Sequence, residues 1–281
     1  MAQLIDGKSL ANKIIGEIKK DIDKIIQTNQ RPPGLAVILV GNDPASSIYV
    51  GKKEKVCNAI GIKSIVKKYD DTITEKALID EILLLNKDDS VDGILIQLPL
   101  PMYINQRNII EAVRPEKDVD GFHPINIGNL FLGYNTFVPC TPLGIIKLLD
   151  FYNIEIKSKR VVVLGRSNIV GRPLIPLLLQ RDATITICHS KTINLPEVTR
   201  KADIIISAIG KPNYVQREFI GNGAVVIDVG INRVDGKITG DVSFDDVKNV
   251  ASFITPVPGG VGPMTIAMLM HNTLKAYRLH V

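Results

Sequence analysis

The chain has 281 residues, 45% hydrophobic and 22% charged, with 34 Lys and Arg against 29 Asp and Glu and a net charge of +5. That length suits two domains or one large one, and that balance suits a globular protein with a real core. The mild basic excess is dispersed, aromatics are 5% and Trp is absent, which argues against the clustered basic stripe with stacking aromatics of a nucleic-acid surface.

Leu10, Ile14, Ile18, Ile22 and Ile25 recur at helical spacing with Lys13, Lys20 and Lys24 on other faces, which predicts an amphipathic surface helix. The Pro-Pro-Gly run at 32–34 ends it, and the apolar run 35–40 suits a buried strand. The alternation then continues with a helix near 45–60, a strand at 63–69, a helix near 74–87 and a strand at 93–98. Strands alternating with helices imply crossover units and a parallel sheet. A second series follows Pro139: a helix near 142–152, a strand at 160–164, a helix near 170–180, then strands at 183–188, 203–207 and 224–229. Asp235-Gly236 between 232–234 and 237–239 signals a hairpin, and a last helix spans about 263–277. Gly, Pro and Asn accumulate at 120–140, where the domain boundary is placed. Cys57, Cys140 and Cys188 are far apart and odd in number, so buried reduced thiols are expected rather than a zinc site or a disulfide framework. No apolar run reaches transmembrane length, and the N-terminus lacks the long apolar core of a signal peptide.

Several positions carry chemistry. Tyr49 and Lys53 are four apart and share one helix face. A lysine beside a phenol near a strand's carboxyl end could act as acid or base, although a surface lysine snorkelling past a half-buried tyrosine has the same spacing. Gln97 is the polar residue closing an apolar strand before Pro99 and Pro101, where open parallel sheets bind ligands; strand-end capping is the plainer alternative. Asp118 and Asp120 share a loop with Gly121, His123 and Pro124. The full calcium-loop series is absent and no metal is expected, so a carboxylate recognising an N–H-rich heterocycle is favoured, with Asp120 the better candidate.

In the second half, Val161 to Gly171 has the form of a strand, a tight turn at Gly165 and a helix start. Amides at such a helix N-terminus would face a pyrophosphate. Ser167 stands where the usual fingerprint has its second glycine, and an ordinary strand-to-helix turn is the alternative. The following strand ends at Cys188 with His189, Ser190 and Lys191 and no carboxylate. An acidic residue there would hold the ribose of NAD; Ser190, Lys191 and Arg166 suit a 2′-phosphate, so NADP is expected over NAD. The segment from Thr255 to Thr265 packs three prolines and three glycines into eleven residues before an apolar helical pattern. It is a stiff loop with bare backbone, suited to the wall of a binding site.

Taken together and in order, the runs at 49–53, 97–101, 118–121, 165–173 and 256–265 resemble the bifunctional methylenetetrahydrofolate dehydrogenase/methenyltetrahydrofolate cyclohydrolase family over nearly the whole chain. The resemblance implies an α/β fold of two lobes: a folate-binding catalytic lobe with a parallel sheet (1–138) and a Rossmann-like NADP-binding lobe (139–262). A return helix (263–281) would pack on the first lobe, with the cleft between the lobes. It also implies a cytoplasmic homodimer acting on a tetrahydrofolate-type substrate in one-carbon metabolism and purine biosynthesis. By motif, Lys53 would be the catalytic lysine and Tyr49 its positioning partner, Gln97 would contact lysine and substrate, and Asp120 would bind the pterin. Ile96, Leu98, Pro258, Gly259 and Gly260 would line the substrate site, and Gly165, Arg166, Ser167, Ser190 and Ile231 would contact NADP.

Two rival readings remain at this level. Tyr-x-x-x-Lys is also the signature of short-chain dehydrogenases, but there the glycine-rich turn comes first, whereas here Tyr49 precedes Gly165. A non-catalytic nucleotide-binding protein could dispense with Lys53, Gln97 and Asp120, all of which are present.

Overall fold

The computed structural model describes residues 1–281 and divides them into two units. One comprises 13–129, 134–138 and 269–281; the other comprises 1–12, 130–133 and 139–268. The chain begins with β1 (Gln3–Leu4) and α1 (Gly7–Gln27).

The apolar run 35–40 lies in β2 (Gly34–Val40), buried along its whole length. It leads to α2 (Pro44–Ile60), whose ends are marked by sequence. The Asp43 carboxylate accepts the Ser46 amide at 2.7 Å, Pro44 opens the helix, and Gly61 closes it at φ 86°. Next come β3 (Lys63–Tyr69), α3 (Glu75–Lys87) and β4 (Gly93–Ile96). The three strands form a parallel sheet in the order β3-β2-β4, so the chain order reverses at β2. Ala36, Ile38 and Val40 of β2 pack in one core with Leu78, Ile82 and Leu85 of α3. Ile109 of α4 (Gln106–Ala112) closes that core, and α5 (Pro124–Leu132) follows.

The second series opens with α6 (Cys140–Phe151) and β5 (Arg160–Leu164), then α7 (Gly171–Leu179), β6 (Thr184–Cys188), α8 (Leu195–Thr199), β7 (Ile204–Ser207) and β8 (Val225–Asp228). The hairpin β9 (Asn232–Val234) and β10 (Lys237–Thr239) pairs antiparallel as its Asp-Gly turn predicts. α9 (Phe244–Val247), β11 (Phe253–Ile254) and α10 (Val261–His280) complete the chain. The sheet is six-stranded and parallel, ordered β1-β11-β8-β7-β5-β6, and reverses at β5. No helix is long and apolar enough to cross a membrane.

The grouping departs from the sequence boundary in three places, the smallest being residues 130–133, which group with the larger sheet's unit. Residues 1–12 join the larger sheet's unit because β1 adds in parallel to β11, with the Ile5 amide on the Ile254 carbonyl at 2.9 Å. The last helix starts at Val261, and its residues 261–268 group with that unit while 269–281 group with the smaller sheet. β4 ends at Ile96 rather than 98, before Pro99, which has no amide to extend a ladder.

In the smaller sheet's unit Asp92 is fully buried. Its carboxylate accepts Arg31 at 2.7 and 2.8 Å and the Gly34 amide at 2.7 Å, and its Oδ1 lies 3.2 Å from Nδ1 of His280. It therefore fastens the start of β2 and the chain's last helix beside the start of β4. Removing one partner of such a group strands the others, at a cost of about 3–5 kcal/mol. Asp92→Ala should lower unfolding free energy by about that amount in urea denaturation, with Arg31→Lys, which keeps the charge but loses the fork, falling between variant and wild type.

Candidate active site and nucleotide pocket

The buried residues of α2 are Ser46, Val50, Cys57 and Ile60. Their spacing is that of a helix stripe, and Lys53 falls on the same stripe. The helix thus aims a half-buried lysine inward instead of leaving it to snorkel. Lys53 Nζ donates to Gln97 Oε1 at 2.9 Å. Gln97 is itself held at the carboxyl edge of the sheet: its amide donates to the Ile38 carbonyl at 2.8 Å and its Nε2 to the Leu98 carbonyl at 2.8 Å. Tyr49 is half-buried on the Lys53 face, one turn earlier, with Lys52 Nζ 5.8 Å from its ring centre. The β2/β4 side of the order reversal is where a parallel sheet opens a crevice, and both Lys53 and Gln97 reach it.

Asp118 and Asp120 have different tasks. Asp118 is buried and accepts the amides of Gly121, Phe122 and His123 at 3.1, 3.2 and 2.8 Å and Asn126 Nδ2 at 2.8 Å. It shapes the loop. Its segment runs against β4, bridging to Ile94, and approaches so closely that a side chain at Gly93 would overlap Val119. That approach sets Asp120 in a recess with Ile96, Leu98 and Phe122. Asp120 makes no hydrogen bond within the protein and keeps part of its surface open. Packing around it nevertheless desolvates the carboxyl and pushes its pKa up to about 6; the Lys53 charge pulls the other way and Asp118 adds to the rise. His123, the other polar group of this loop, accepts the Ile125 amide on Nδ1 at 3.1 Å.

The second constellation lies at the reversal of the larger sheet. A recess of about 360 Å³ opens where β5, β6 and β7 end, lined by Gly165, Arg166 and Ser167, by His189, Ser190 and Thr192, and by Ala208, Ile209, Lys211 and Tyr214. Gly165 has φ 115°, and a Cβ there would overlap the Ala208 carbonyl, so the turn needs glycine twice over. The helix amides expected to face a phosphate are partly used internally. Those of Val170 and Gly171 point at Ser167 Oγ (3.2 and 3.5 Å), and that of Arg172 donates to the Ser167 carbonyl at 3.0 Å. The groups left for an anion are those of the exposed turn 166–169 and the Ser167 hydroxyl proton. The turn after β6 is fixed by the His189 amide on Thr192 Oγ1 at 2.9 Å and the Lys191 amide on His189 Nδ1 at 3.2 Å. Lys191 does not line the recess; Lys211 does, and sequence reading missed it because its strand end carries no glycine fingerprint. No carboxylate lines the recess. Two fixed cations, several hydroxyls and a bare turn fit a phosphate-bearing dinucleotide.

The loop singled out at 255–265 belongs to this unit. Thr255 is buried, with its hydroxyl taking the Asp228 amide at 2.7 Å, and the Gly259 carbonyl accepts the Lys8 amide at the start of α1 at 2.9 Å. Pro258 is exposed, Gly259 has φ 114°, and Gly260 is buried. Ile231 is exposed and does not line the recess; it stands beside Gly262 at the start of α10. The structure thus gathers Lys53, Gln97, Asp120, Ile96, Leu98 and Tyr49 in one unit, and Pro258, Gly259, Gly260 and Ile231 in the other with Gly165, Arg166, Ser167 and Ser190.

A Rossmann-type dinucleotide unit joined to a second parallel α/β unit with a lysine–glutamine–aspartate cluster defines a nucleotide-dependent enzyme. Residues 5–120 match the family described as tetrahydrofolate dehydrogenase/cyclohydrolase, catalytic domain, and residues 139–281 match its NAD(P)-binding domain. The bifunctional protein FolD of Sulfurihydrogenibium sp. (strain YO3AOP1) is 57% identical over 277 residues, 98% of this chain and 97% of that one. The crystal structure of the bifunctional methylenetetrahydrofolate dehydrogenase/cyclohydrolase of Campylobacter jejuni superposes with a TM-score of 0.98 at 49% identity, covering 100% of both chains. The Trypanosoma brucei dehydrogenase-cyclohydrolase, solved with NADP cofactor and inhibitor, has a TM-score of 0.95 at 39% identity over 99% of this chain and 98% of that one. The chain belongs to the tetrahydrofolate dehydrogenase/cyclohydrolase family.

Asp228, at the end of β8, is buried and also pushed up to about 6, first by desolvation, with amides from Val242, Asp241 and Gly230 opposing it. Asp120 and Asp228 therefore both bind a proton more tightly folded than unfolded. Their stabilisation is complete below the unfolded value of 3.8 and is lost as pH rises through about 6. A shift of about two units corresponds to about 3 kcal/mol at most per group. Carboxylates held low, such as Asp6, Glu81 and Asp203, lose stabilisation only at more acid pH, below their ordinary values. The protein should consequently resist denaturant better near about pH 5 than near about pH 7.5, and Asp120→Asn should reduce that difference; a difference of opposite sign would contradict the assignment.

Proposed function

We propose that this enzyme uses NADP to oxidise 5,10-methylenetetrahydrofolate to 5,10-methenyltetrahydrofolate and then hydrolyses the product to 10-formyltetrahydrofolate. The observation that carries the reading is the inward lysine on a buried helix stripe, held at 2.9 Å by Gln97 beside an aspartate with no protein partner. The same reading has the enzyme working as a homodimer in the cytoplasm, in one-carbon metabolism.

When bound, NADP supplies the ring that accepts hydride. Loss of hydride from the carbon bridging N5 and N10 leaves a cation stabilised by both nitrogens, so the protein's part in this step is orientation. Ile96 and Leu98 give the substrate an apolar flank, and Tyr49 borders the lysine. Asp120, ionised above about pH 6, accepts N–H groups of the pterin. Pro258, Gly259 and Gly260 offer the ligand a stiff backbone surface. In the hydrolysis, water adds to the methenyl carbon, the C–N5 bond breaks, and one proton is released overall. A proton must leave the adding oxygen and one must reach N5. Lys53 is the group that moves them, with Gln97 fixing where its Nζ stands.

For the cofactor, Gly165 and Ser167 form the turn that meets the pyrophosphate, Ile231 contacts the same ligand, and Arg166 with Ser190 takes the 2′-phosphate. A wall without carboxylates supports NADP over NAD.

Lys53→Ala should abolish hydrolysis of methenyltetrahydrofolate while NADP still binds; full cyclohydrolase activity in that variant would refute the role. Wild type should saturate at lower NADP than NAD. Arg166→Ala should raise the KM for NADP about 10- to 100-fold, as expected for losing a hydrogen bond to a charged group, and leave the KM for NAD much less changed.

A further inference from the structure

Beneath the nucleotide recess lie two buried carboxylates without a cation. Asp241 is 0% exposed and Asp228 3%. Asp241 Oδ2 accepts the Ile209 amide at 2.8 Å, the Gly210 amide at 3.2 Å and the Ser207 hydroxyl at 3.3 Å. Its Oδ1 accepts the Lys211 amide and Asn232 Nδ2, each at 3.0 Å. Asp228 in turn accepts the amides of Asp241, Val242 and Gly230, each at 2.9 Å, and its own amide donates to Thr255 Oγ1.

Burying a carboxylate is costly unless every lone pair is met, and here neutral donors alone meet both. The donors are not drawn from one turn. They come from the end of β7 and the segment after it, the segment after β8, β9 and the residues after β10. Two glycines are shaped to the pair: a side chain at Gly230 would overlap the Asp241 carboxylate, and one at Gly240 that of Asp228. Ile209 and Lys211, whose amides Asp241 gathers, also line the recess together with Arg166 and Ser190. The last ladder hydrogen bond to β5 is the Ala208 amide on the Leu164 carbonyl at 2.8 Å, and the amides of 209–211 go to Asp241 instead.

We propose that Asp241 is a positioning residue for dinucleotide binding, fixing the Ile209–Lys211 wall of the recess, and that Asp228 ties this wall to the Thr255 loop. The inference rests on the NADP reading of that recess. It separates two functions that a carboxylate can have near a cofactor: Asp241 touches no ligand and acts through the backbone it collects.

The discriminating variant is Asp241→Asn. An amide has one oxygen, so in either orientation its NH₂ must face amide donors that the carboxylate had accepted. NADP affinity is measured by calorimetry without folate, together with steady-state kinetics. The wild type must bind NADP first; if it does not, the cofactor reading fails and the inference with it. Given that, Asp241→Asn should weaken NADP binding about tenfold or more, as expected for several lost hydrogen bonds. The KM for the folate should be unchanged, and kcat at saturating NADP should fall less than about threefold. Should that variant not fold, Asn232→Ala removes one donor only and should give a smaller rise in Kd with the same KM-against-kcat split. A lower melting temperature with NADP affinity equal to wild type, in either variant, would make the pair merely structural and overturn the proposal.

Discussion

A charge taken out of water must be met by groups aimed at it, and this requirement organises both units. Asp92 is met by the Arg31 fork, Asp118 by three successive amides, and Asp228 and Asp241 by amides from distant turns. Lys117 is met by the carbonyls of Leu85 and Asp88, at the end of α3. Asp118 shapes its own loop, while Asp92, Asp241 and Lys117 become knots that join segments far apart in sequence. Lys53 and Asp120 stand out against these knots. Both are half-buried, yet the lysine donates to a single neutral acceptor and the aspartate carboxylate accepts no hydrogen bond. Groups left in this condition are the ones the proposed function gives to the substrate.

Much of this was legible in the sequence where the signal is local. The strand at 35–40 and the hairpin at 232–239 follow from an apolar run and an Asp-Gly turn, and the structure has them at those positions. The two-residue strands β1 and β11 were not legible, because two residues have no pattern of their own and exist as strands only through the partners they pair with. The short helices α4, α5, α8 and α9 escaped for a similar reason: each is too brief to repeat a period. Among site residues, Tyr49, Lys53, Gln97 and Asp120 were marked by type and spacing. That Lys53 faces inward was written in the positions of Ser46, Val50, Cys57 and Ile60, a signal that could have been used. Asp241 could not have been found this way, since its five donors span residues 207 to 232 and only folding brings them together.

The nucleotide recess shows how a weak fingerprint can coexist with a well-defined site. Ser167 replaces a glycine and then occupies the first amides of α7 itself, so the proposed phosphate site falls on the turn before the helix rather than on the helix end. The chemistry that remains, guanidinium, ammonium and hydroxyl without an acid, selects by charge rather than by shape. Lys211 contributes to that field from a loop whose conformation is dictated by a residue thirty positions later.

The stripe along α2 has a further consequence. Position 53 is one that the helix would ordinarily give to an apolar side chain, like Val50 before it and Cys57 after it. By geometry alone a methionine or leucine would complete the contact surface there. Thermodynamic robustness and chemistry therefore compete for one residue. With the role proposed for Lys53, a lineage or a laboratory selecting only for heat resistance would be drawn to replace it, while one selecting for turnover keeps a helix less firmly seated than its fold permits.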